Sequence, residues 1–468
     1  LKKYRKSNMK YKPNKESVSQ HEVPEWFQDA KLGIFIHWGL YSVPAFAVTG
    51  LDLTDSMKKG LDFYCKYNPY AEWYLNTLRI SGSPTEKYHK ETYGDNFSYD
   101  DFVPIFNEEI ENWNPDEWIK LVKKSGARYV VITTKHCDGF LLWDSNYPNP
   151  YKKNYSAKRD IVGELSKSVK RSDLNIGFYY STAWDWTFNK NPIKDAESFL
   201  ENFVNPPEYT EYVNNHLYEL IDKYQPKVLW ADMGYPEGTD VYEIFAYFYN
   251  RVPEGVVNDR WKQYISAKKK FKKTNHNDFV TPEYKVFKKI KRHKWEICRG
   301  IGNSFGYNKF EEERDYLTTE ELIHLLIDVV SKNGNLLLNI GPKADGSIPE
   351  IQRERLIGLG KWLNVNGEAI FGSRPWKSAE GLTNKGIPVR FTKKGEILFL
   401  ILLEIPETKV LSIQNENFGE ISEVYMLGKD ESIKWKQEKK KLTIYIPKNL
   451  KETPAISFKI EFNPIEEF

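Results

Sequence analysis

The sequence has few cysteines, few methionines and no long hydrophobic run. Its 468 residues include three cysteines and four methionines. Cys65, Cys137 and Cys298 lie far apart without Cys-x-x-Cys spacing, which argues against a disulfide framework and a cysteine zinc site. No run of ~18 apolar residues occurs, so we expect no membrane-spanning helix. Residues 1–20 are polar and basic, without the apolar segment of a signal peptide, which favours a cytoplasmic protein. Because the chain does not begin with Met, the alternative of a leader peptide that has been removed stays open.

The sequence also lacks a strong net charge, which is only +3. That value excludes a global field selecting polyanions, although lysines are concentrated in residues 268–273 and 285–294. Nucleic-acid binding would require base-stacking aromatics on a recognisable module, which is missing, so we expect solvated loops and no nucleic-acid partner. Aromatic residues make up 15% of the chain, which fits either a large core or stacking on sugar rings.

Short apolar runs alternate with amphipathic helical segments over most of the chain. The predicted strands are 33–37, 129–133, 175–180, 227–232, 255–260, 295–299 and 335–340, and the clearest helices are 115–125, 160–169, 210–224 and 318–334. This alternation predicts parallel strands with crossover helices. A doubly wound sheet would also fit, but no GxGxxG follows the first strand, and polar residues follow the strands. We therefore predict a TIM (β/α)8-like barrel over residues 1–372.

The pattern changes near residue 373. Short apolar stretches, separated by turn residues and without helical periodicity, occupy 389–391, 397–401, 409–413, 423–426, 441–446 and 456–460. They predict an antiparallel β-sandwich over residues 373–468.

The ends of the predicted strands supply candidate functional residues. They are His37, His136, Tyr179, Asp232 and Arg260. Neither HxH nor HExxH spacing occurs, which argues against a zinc hydrolase. GxSxG is missing, which argues against a serine nucleophile, and no glycine-rich phosphate loop is present. A carboxylate pocket lined by neutral polar groups suits cleavage of a glycosidic bond.

Glycoside cleavage needs one ionised and one protonated carboxyl group. Asp232 ends an apolar strand and suits the ionised role; the alternative is that it caps the next helix. Three candidates for the protonated carboxyl group stay open: Glu72, Glu283 and Glu296. Glu296 could instead form an ion pair with Arg299, whereas Glu283 lies in a predicted loop that could swing over a pocket.

Five motifs in one order resemble a known family. They are GIFIHWG at 33–39, TKHCDGF at 134–140, WADMG at 230–234, VNDRW at 257–261 and NGNLLLNIGP at 333–342. The sequence resembles the α-L-fucosidases of glycoside hydrolase family 29 over roughly residues 10 to 375. It is most similar in type to the compact fucosidases of thermophilic prokaryotes.

This resemblance implies a retaining exo-glycosidase that removes terminal α-L-fucose from oligosaccharides or glycoconjugates without metal or cofactor. It implies that Asp232 is the nucleophile and Glu283 the general acid/base. The residues implied to hold sugar hydroxyls are His37, Glu72, Trp73, His136, Tyr179 and Arg260, while Phe35 and Phe305 would contact the fucose methyl group. Relatives of this type often assemble, so a homo-oligomer is expected by analogy.

Two departures from the family pattern have consequences. Cys137 stands where the family usually has a second histidine, so one contact to a sugar hydroxyl could be lost or moved. The stretch between Arg260 and Glu283 is long and rich in lysine, and these lysines must point to solvent if Glu283 is the acid. Two rival functions stay open: an exo-glycosidase for another sugar, and a non-catalytic protein that binds fucose or other glycans.

Overall fold

The computed structural model describes residues 9–463 apart from 415, 449 and 451, so the outer ends of the two predicted domains, 1–8 and 464–468, lie outside the described residues. Its helices are α1 (Lys15–Val18), α2 (Glu25–Ala30), α3 (Leu53–Lys58), α4 (Leu61–Lys66), α5 (Tyr74–Leu78), α6 (Pro84–Tyr93), α7 (Phe102–Glu109), α8 (Pro115–Ser125), α9 (Ile161–Lys170), α10 (Ala196–Glu201), α11 (Pro207–Tyr224), α12 (Val241–Arg251), α13 (Thr319–Ser331) and α14 (Glu350–Asn366). Its strands are β1 (Leu32–Ile36), β2 (Tyr129–Lys135), β3 (Asn175–Ser181), β4 (Val228–Asp232), β5 (Val256–Val257), β6 (Gln263–Ile265), β7 (Lys270–Lys272), β8 (Trp295–Gly300), β9 (Gly334–Ile340), β10 (Arg374–Leu382), β11 (Pro388–Lys394), β12 (Ile397–Leu402), β13 (Val410–Gln414), β14 (Ile421–Met426), β15 (Trp435–Glu438), β16 (Lys441–Tyr445) and β17 (Ile456–Phe462).

Seven parallel strands form the wall of the first domain within the described residues. Their order is β5-β4-β3-β2-β1-β9-β8, so the first strand of the chain lies inside the sheet, between β2 and β9. Every residue of β1, β2, β4 and β9 is buried, as expected for strands covered on both faces. The helices between them begin and end as the sequence indicates. For example, Asn114 caps α8, Gly126 ends it in a left-handed conformation, and Thr318 and Glu321 form the capping box of α13.

An extended segment, residues 278–284, closes this wall between the edge strands β5 and β8. On one side the Asp278 amide donates to the Val257 carbonyl oxygen at 2.9 Å. On the other side the Val280 amide donates to the Lys294 carbonyl oxygen at 3.1 Å, and the Tyr284 amide donates to the Cys298 carbonyl oxygen at 3.2 Å. The segment thus takes the place of an eighth strand, and the predicted TIM-like barrel is confirmed.

Alternate side chains of the strands fill the barrel interior. A Cβ atom on Gly33 would lie 2.4 Å from the ring of Tyr129, so glycine is needed for that ring to enter the barrel. The Tyr129 hydroxyl donates a hydrogen bond to Glu296, and the indole Nε1 of Trp230 donates to the same carboxylate at 3.0 Å. This buried layer forms a floor beneath the carboxyl ends of the strands.

The C-terminal region is the predicted antiparallel sandwich. A sheet of order β10-β11-β12-β17-β14 packs on a second sheet of order β13-β16-β15. Leu398 and Leu400 of β12 enter the sandwich core, whereas Phe399 and Ile401, on the opposite face, join the core of the barrel. Arg390 pairs with Asp328 of α13 at 2.6 Å across the domain contact.

Two sequence predictions need correction here. The predicted strand 255–260 is ordered as a strand only at Val256–Val257, because the chain then turns to direct Arg260 inward. The segment 278–284, predicted to be a loop, is part of the barrel wall. Among the described residues, no helix combines the length and the apolar character that crossing a bilayer requires.

Candidate active site

A pocket opens at the carboxyl ends of the barrel strands. Its lining includes all ten residues singled out from the sequence: Phe35, His37, Glu72, Trp73, His136, Tyr179, Asp232, Arg260, Glu283 and Phe305. Tyr70, Trp230, Met233 and Cys298 complete it. Residues separated by up to 270 positions in the chain therefore converge because parallel strands end at one face.

Asp232 is the last residue of β4, and its carboxylate has two donors. The Tyr179 hydroxyl donates to Oδ2 at 2.9 Å, and Nη1 of Arg260 donates to Oδ1 at 2.9 Å. Directly after it, Met233 has φ +60° and Gly234 has φ +84°, so the backbone turns sharply through two left-handed residues. A non-glycine residue in this region carries local strain, which is common next to functional groups. Asp232 is thus held in place from both sides.

Glu283 lies near the end of the closing segment. The Tyr70 hydroxyl donates to its Oε1 at 2.9 Å, and Nη2 of Arg260 lies 3.3 Å from Oε2. The Cys298 amide donates to the Pro282 carbonyl at 3.3 Å, beside Glu283. The prediction of a loop that swings over the pocket is therefore wrong, because backbone hydrogen bonds fix this segment to β8.

Arg260 joins the two carboxylates. Its guanidinium contacts Asp232 through one terminal nitrogen and Glu283 through the other. It lies 4.6 Å above the ring of Trp230, and its Nε donates to Thr281 at 2.9 Å. Since Trp230 is itself fixed by Glu296, a chain of contacts runs from the barrel floor to the paired carboxylates.

His37 presents a hydrogen-bond acceptor to the pocket. The amide nitrogen of Asn339 donates to the Phe305 carbonyl at 2.7 Å, so its oxygen faces Nδ1 of His37 at 2.7 Å and accepts the proton there. Burial lowers the pKa of His37 to about 4, which leaves the ring neutral at pH 7. Its Nε2 therefore carries a lone pair that can accept from a hydroxyl group.

His136 and Glu72 are buried and polar. Burial lowers the pKa of His136 well below its usual range, and its Nδ1 has no hydrogen-bond partner among the described residues. Burial raises the pKa of Glu72 to about 8, and its Oε2 accepts from the Gly306 amide at 2.8 Å. At pH 7 Glu72 is protonated and can donate, while the unpaired nitrogen of His136 is ready for a polar ligand.

The apolar part of the pocket is aromatic. The rings of Phe35 and Phe305 lie 6.4 Å apart, and the Trp73 ring is supported by Trp184 at 5.9 Å and Trp186 at 5.7 Å. Tyr179 lines the pocket, while the hydroxyl of its neighbour Tyr180 contacts His216 at 2.8 Å. Strand alternation explains the opposite directions of these two neighbours.

The geometry locates Cys137 and corrects two sequence expectations. Cys137 is fully buried with its sulfur 3.2 Å from the Ser181 hydroxyl, and it does not line the pocket. Glu296 binds Tyr129 and Trp230 in the floor, and Arg299 lies instead 5.0 Å from the Tyr284 ring, so the predicted Glu296–Arg299 ion pair is wrong. Lys294, placed with the solvated basic run, is 5% exposed.

One group among the described residues has the spacing of metal ligands: His21, His276 and Asp278. Its donor atoms are already engaged with the protein. Asp278 accepts from the Val257 amide at 2.7 Å and the Tyr249 hydroxyl at 2.8 Å, and lies 2.8 Å from Nδ1 of His21. This network fixes the start of the closing segment, which is a structural role.

A TIM-like barrel with two carboxylates paired over a pocket at its strand ends defines a glycoside hydrolase. The family model described as alpha-L-fucosidase matches residues 1–368, and that of the alpha-L-fucosidase C-terminal domain matches 384–461. The chain belongs to the α-L-fucosidase family, as the sequence motifs predicted.

Individual relatives cover nearly the whole chain. The tissue alpha-L-fucosidase of Bos taurus is 34% identical over 97% of this chain and 90% of its own length. The structure of Thermotoga maritima alpha-fucosidase in complex with fucose is similar with a TM-score of 0.85 and 43% identity, covering 96% of this chain and 100% of that one. Its complex with a mechanism-based inhibitor gives a TM-score of 0.86 at 43% identity, covering 96% and 99%.

Four lining residues were missed from the sequence. Tyr70 lies two positions before Glu72, and Trp230 begins the motif that contains Asp232, so their proximity to these two residues was an available signal. Met233 could have been noted because it follows Asp232 directly. Cys298 gave no such signal, since its inward direction depends on where β8 begins.

Proposed function

We propose that this chain hydrolyses terminal α-L-fucosides with retention of anomeric configuration, through a covalent fucosyl-enzyme on Asp232. The observation that carries the proposal is the sharing of one Arg260 guanidinium by Asp232 and Glu283. This arrangement keeps the carboxylates on the two sides of a single planar group. Retaining glycosidases place their two carboxyl groups about 5–5.5 Å apart, whereas inverting enzymes need room for a water molecule between them.

In the first step an Asp232 oxygen attacks C1 of fucose while the bond from C1 to the leaving oxygen breaks. The leaving oxygen takes a proton from Glu283. In the second step the Glu283 carboxylate removes a proton from water, whose oxygen attacks C1 and releases Asp232. Tyr179 and Arg260 donate to Asp232 and stabilise its negative charge before attack and after release.

Glu283 must hold a proton in the first step, although a guanidinium favours the ionised form of a neighbouring carboxylate. Its Arg260 contact is 3.3 Å, longer than the 2.9 Å contact of Arg260 with Asp232. The Arg260 contact is also longer than the 2.9 Å hydrogen bond that the Tyr70 hydroxyl donates to Glu283. The Arg260 guanidinium therefore contacts Asp232 more closely than it contacts Glu283.

The rest of the pocket suits a single fucose unit. Nε2 of His37 would accept from one sugar hydroxyl, and protonated Glu72 would donate to another. Phe35 and Phe305 offer an apolar surface for the methyl group at C5 of fucose, which most hexoses lack. The substrate class is fucosylated oligosaccharides or glycoconjugates. Three buried cysteines without disulfides further support a reducing compartment such as the cytoplasm.

The stereochemical course is tested by proton NMR during hydrolysis of an aryl α-L-fucoside. We expect α-L-fucose to appear first and to mutarotate later, because two displacements restore the starting configuration. First appearance of β-L-fucose would contradict the covalent mechanism, and faster turnover of the matching β-D-galactoside would contradict the sugar assignment.

Glu72 is a second candidate for the acid, because burial holds it protonated at pH 7. A leaving-group series separates the two candidates. For Glu283→Ala we expect a loss of about 10²–10⁴-fold on poor leaving groups and a much smaller loss on activated ones. Glu72→Ala should lower both by the same factor, since it would remove only sugar binding. The reverse pattern would assign the acid to Glu72.

A further inference from the structure

A lysine-rich hairpin begins two residues after Arg260 of the pocket. It consists of β6 and β7 with their connection, and we call residues 262–273 the basic hairpin. It holds six exposed lysines: Lys262, Lys268, Lys269, Lys270, Lys272 and Lys273. Residues 261–277 include no aspartate or glutamate. Among the described residues none of the six lysines forms a salt bridge, and one acid, Glu237, contacts the hairpin at Ser266. The hairpin therefore carries a net positive charge.

Backbone contacts fix the base of the hairpin beside the nucleophile. The Tyr235 amide donates to the Lys262 carbonyl at 2.9 Å, and Lys262 lies two residues after Arg260. A Cβ atom on Gly234 would lie 2.7 Å from that same carbonyl oxygen. Since Met233 lines the pocket, the base of the hairpin is directly adjacent to the pocket wall.

The hairpin is packed on the rim of the barrel. Tyr264 and Phe271 face each other across the two strands, and both contact Phe203, at 5.9 Å and 5.1 Å. Lys270 and Lys272 flank Phe271 and are exposed. The hydrogen bonds of Ser266 to Glu237 fix the tip, and Glu237 is the acid in contact with it.

The strands of the hairpin have three residues each, so its tip lies about 10 Å beyond its base. At physiological ionic strength the charge of a lysine acts over a Debye length of about 8 Å. An anionic group on the aglycone that lies within this distance of the hairpin would be attracted to its lysines.

We propose that the basic hairpin selects substrates whose aglycone carries a negative charge, namely fucosylated glycans with a sulfate or carboxylate group on a nearby sugar. This inference rests on the proposed function and specifies its substrate class. A sulfate and a carboxylate share the chemistry that lysines recognise, and they are compared directly as aglycone substituents.

The test uses aryl α-L-fucosides whose aglycone carries the same spacer ending in a sulfonate, a carboxylate or a neutral sulfonamide. At low salt we expect the full-length enzyme to hydrolyse the sulfonate with a kcat/KM about tenfold above that of the sulfonamide. The preference should disappear at 0.5 M salt, on the order of a 4 Å Debye length. The ratio of sulfonate to carboxylate shows which anion the hairpin favours.

The variant Lys270→Gln/Lys272→Gln should lose most of the preference and hydrolyse the neutral substrate at the wild-type rate. The matched control is Lys288→Gln/Lys289→Gln, which removes two exposed lysines from the second basic run. That run is held at the end of α13, where the Lys291 amide donates to the Lys332 carbonyl oxygen. The control should retain the full preference.

Equal kcat/KM on charged and neutral substrates would overturn this inference and leave the proposed function standing. A preference that survives in the hairpin variant would overturn it as well. If none of the three fucosides is hydrolysed, the proposed function fails, and the substrate class proposed here fails with it.

Discussion

The two ends of the barrel differ in whether their buried ionisable side chains have hydrogen-bond partners among the described residues. At the carboxyl end each of the two pocket carboxylates has two donors, Tyr179 and Arg260 for Asp232, and Tyr70 and Arg260 for Glu283. At the amino end Lys31 precedes β1 and Lys294 precedes β8, and both amines are buried without a hydrogen-bond partner among the described residues.

The same strands therefore support chemistry at one end and carry an energetic cost at the other. Burial, with Arg374 nearby, lowers the pKa of Lys31 to about 7, and burial beside Lys31 lowers the pKa of Lys294 well below its usual range. A buried charge is stable only when it is partnered, so substitutions at the two ends should affect different properties. Changes at the carboxyl end should reduce activity, and changes at the amino end should alter stability.

The largest effect is expected for Asp232→Gly. Removal of the nucleophile should lower kcat by about 10³–10⁵-fold while the protein stays folded. Added azide should partly restore turnover by entering the vacated space, and circular dichroism checks the fold. Lys294→Met, at the other end of the barrel, is the control and should change kcat by less than about twofold. More than a tenth of wild-type activity in Asp232→Gly would contradict the nucleophile role.

The next largest effect is expected for Arg260→Met. Without the shared guanidinium, Asp232 and Glu283 lose one donor each and repel each other, so kcat/KM should fall by about 10²–10³-fold. Arg260→Lys keeps the charge but not the planar fork, so it should recover only part of the loss. Full recovery of kcat/KM in Arg260→Lys would show that activity depends on the positive charge rather than on simultaneous contact with both carboxylates.

A smaller effect, limited to alkaline pH, is expected for Glu72→Gln. The pKa of Glu72 is raised to about 8, so the wild-type side chain is protonated and donates below this pH and loses its proton above it. We expect the wild-type KM to rise about tenfold between pH 7 and pH 9, and the KM of the variant to stay flat. An unchanged alkaline rise in Glu72→Gln would assign that titration to another group.

The smallest effect on activity is expected for Lys31→Met, whose main consequence is on stability. Between the folded pKa of about 7 and the ordinary value of 10.5, the unfolded chain binds more protons than the folded one. Wild-type stability should therefore rise with pH across this window. At pH 7 the variant should be more stable by about 4 kcal/mol, and the difference should shrink towards pH 10. Urea denaturation at several pH values measures it; a variant less stable than wild type would show that the amine has a partner.

The sequence predicted the barrel because β1, β2, β3 and β4 are apolar runs that end in polar residues. The resemblance carried by the five ordered motifs implied the ten pocket residues, five of which lie within the motifs themselves. The closing segment escaped prediction because Val280-Thr281-Pro282-Glu283 lacks strand character, and it is extended only through its contacts with β5 and β8. Local patterns do not contain such contacts.

Lys294 and Glu296 were misplaced for a related reason. Lys294 ends a run of exposed basic residues, yet it lies two positions before Glu296 and four before Cys298, on the inward face of β8. Period-two alternation would have placed all three inside the barrel if the start of the strand had been known. The partners of Glu296, Tyr129 and Trp230, come from other strands, so only the fold reveals them.

The central claim is that Asp232 forms the bond to C1 of fucose. It is tested most directly with a fluorinated fucosyl reagent that forms the covalent intermediate rapidly and releases it slowly, followed by proteolysis and mass spectrometry of the labelled peptide. The account predicts a single label on the peptide containing Trp230-Ala231-Asp232, and none in Asp232→Gly. A label on Glu283, on Glu72 or on any other side chain would contradict it.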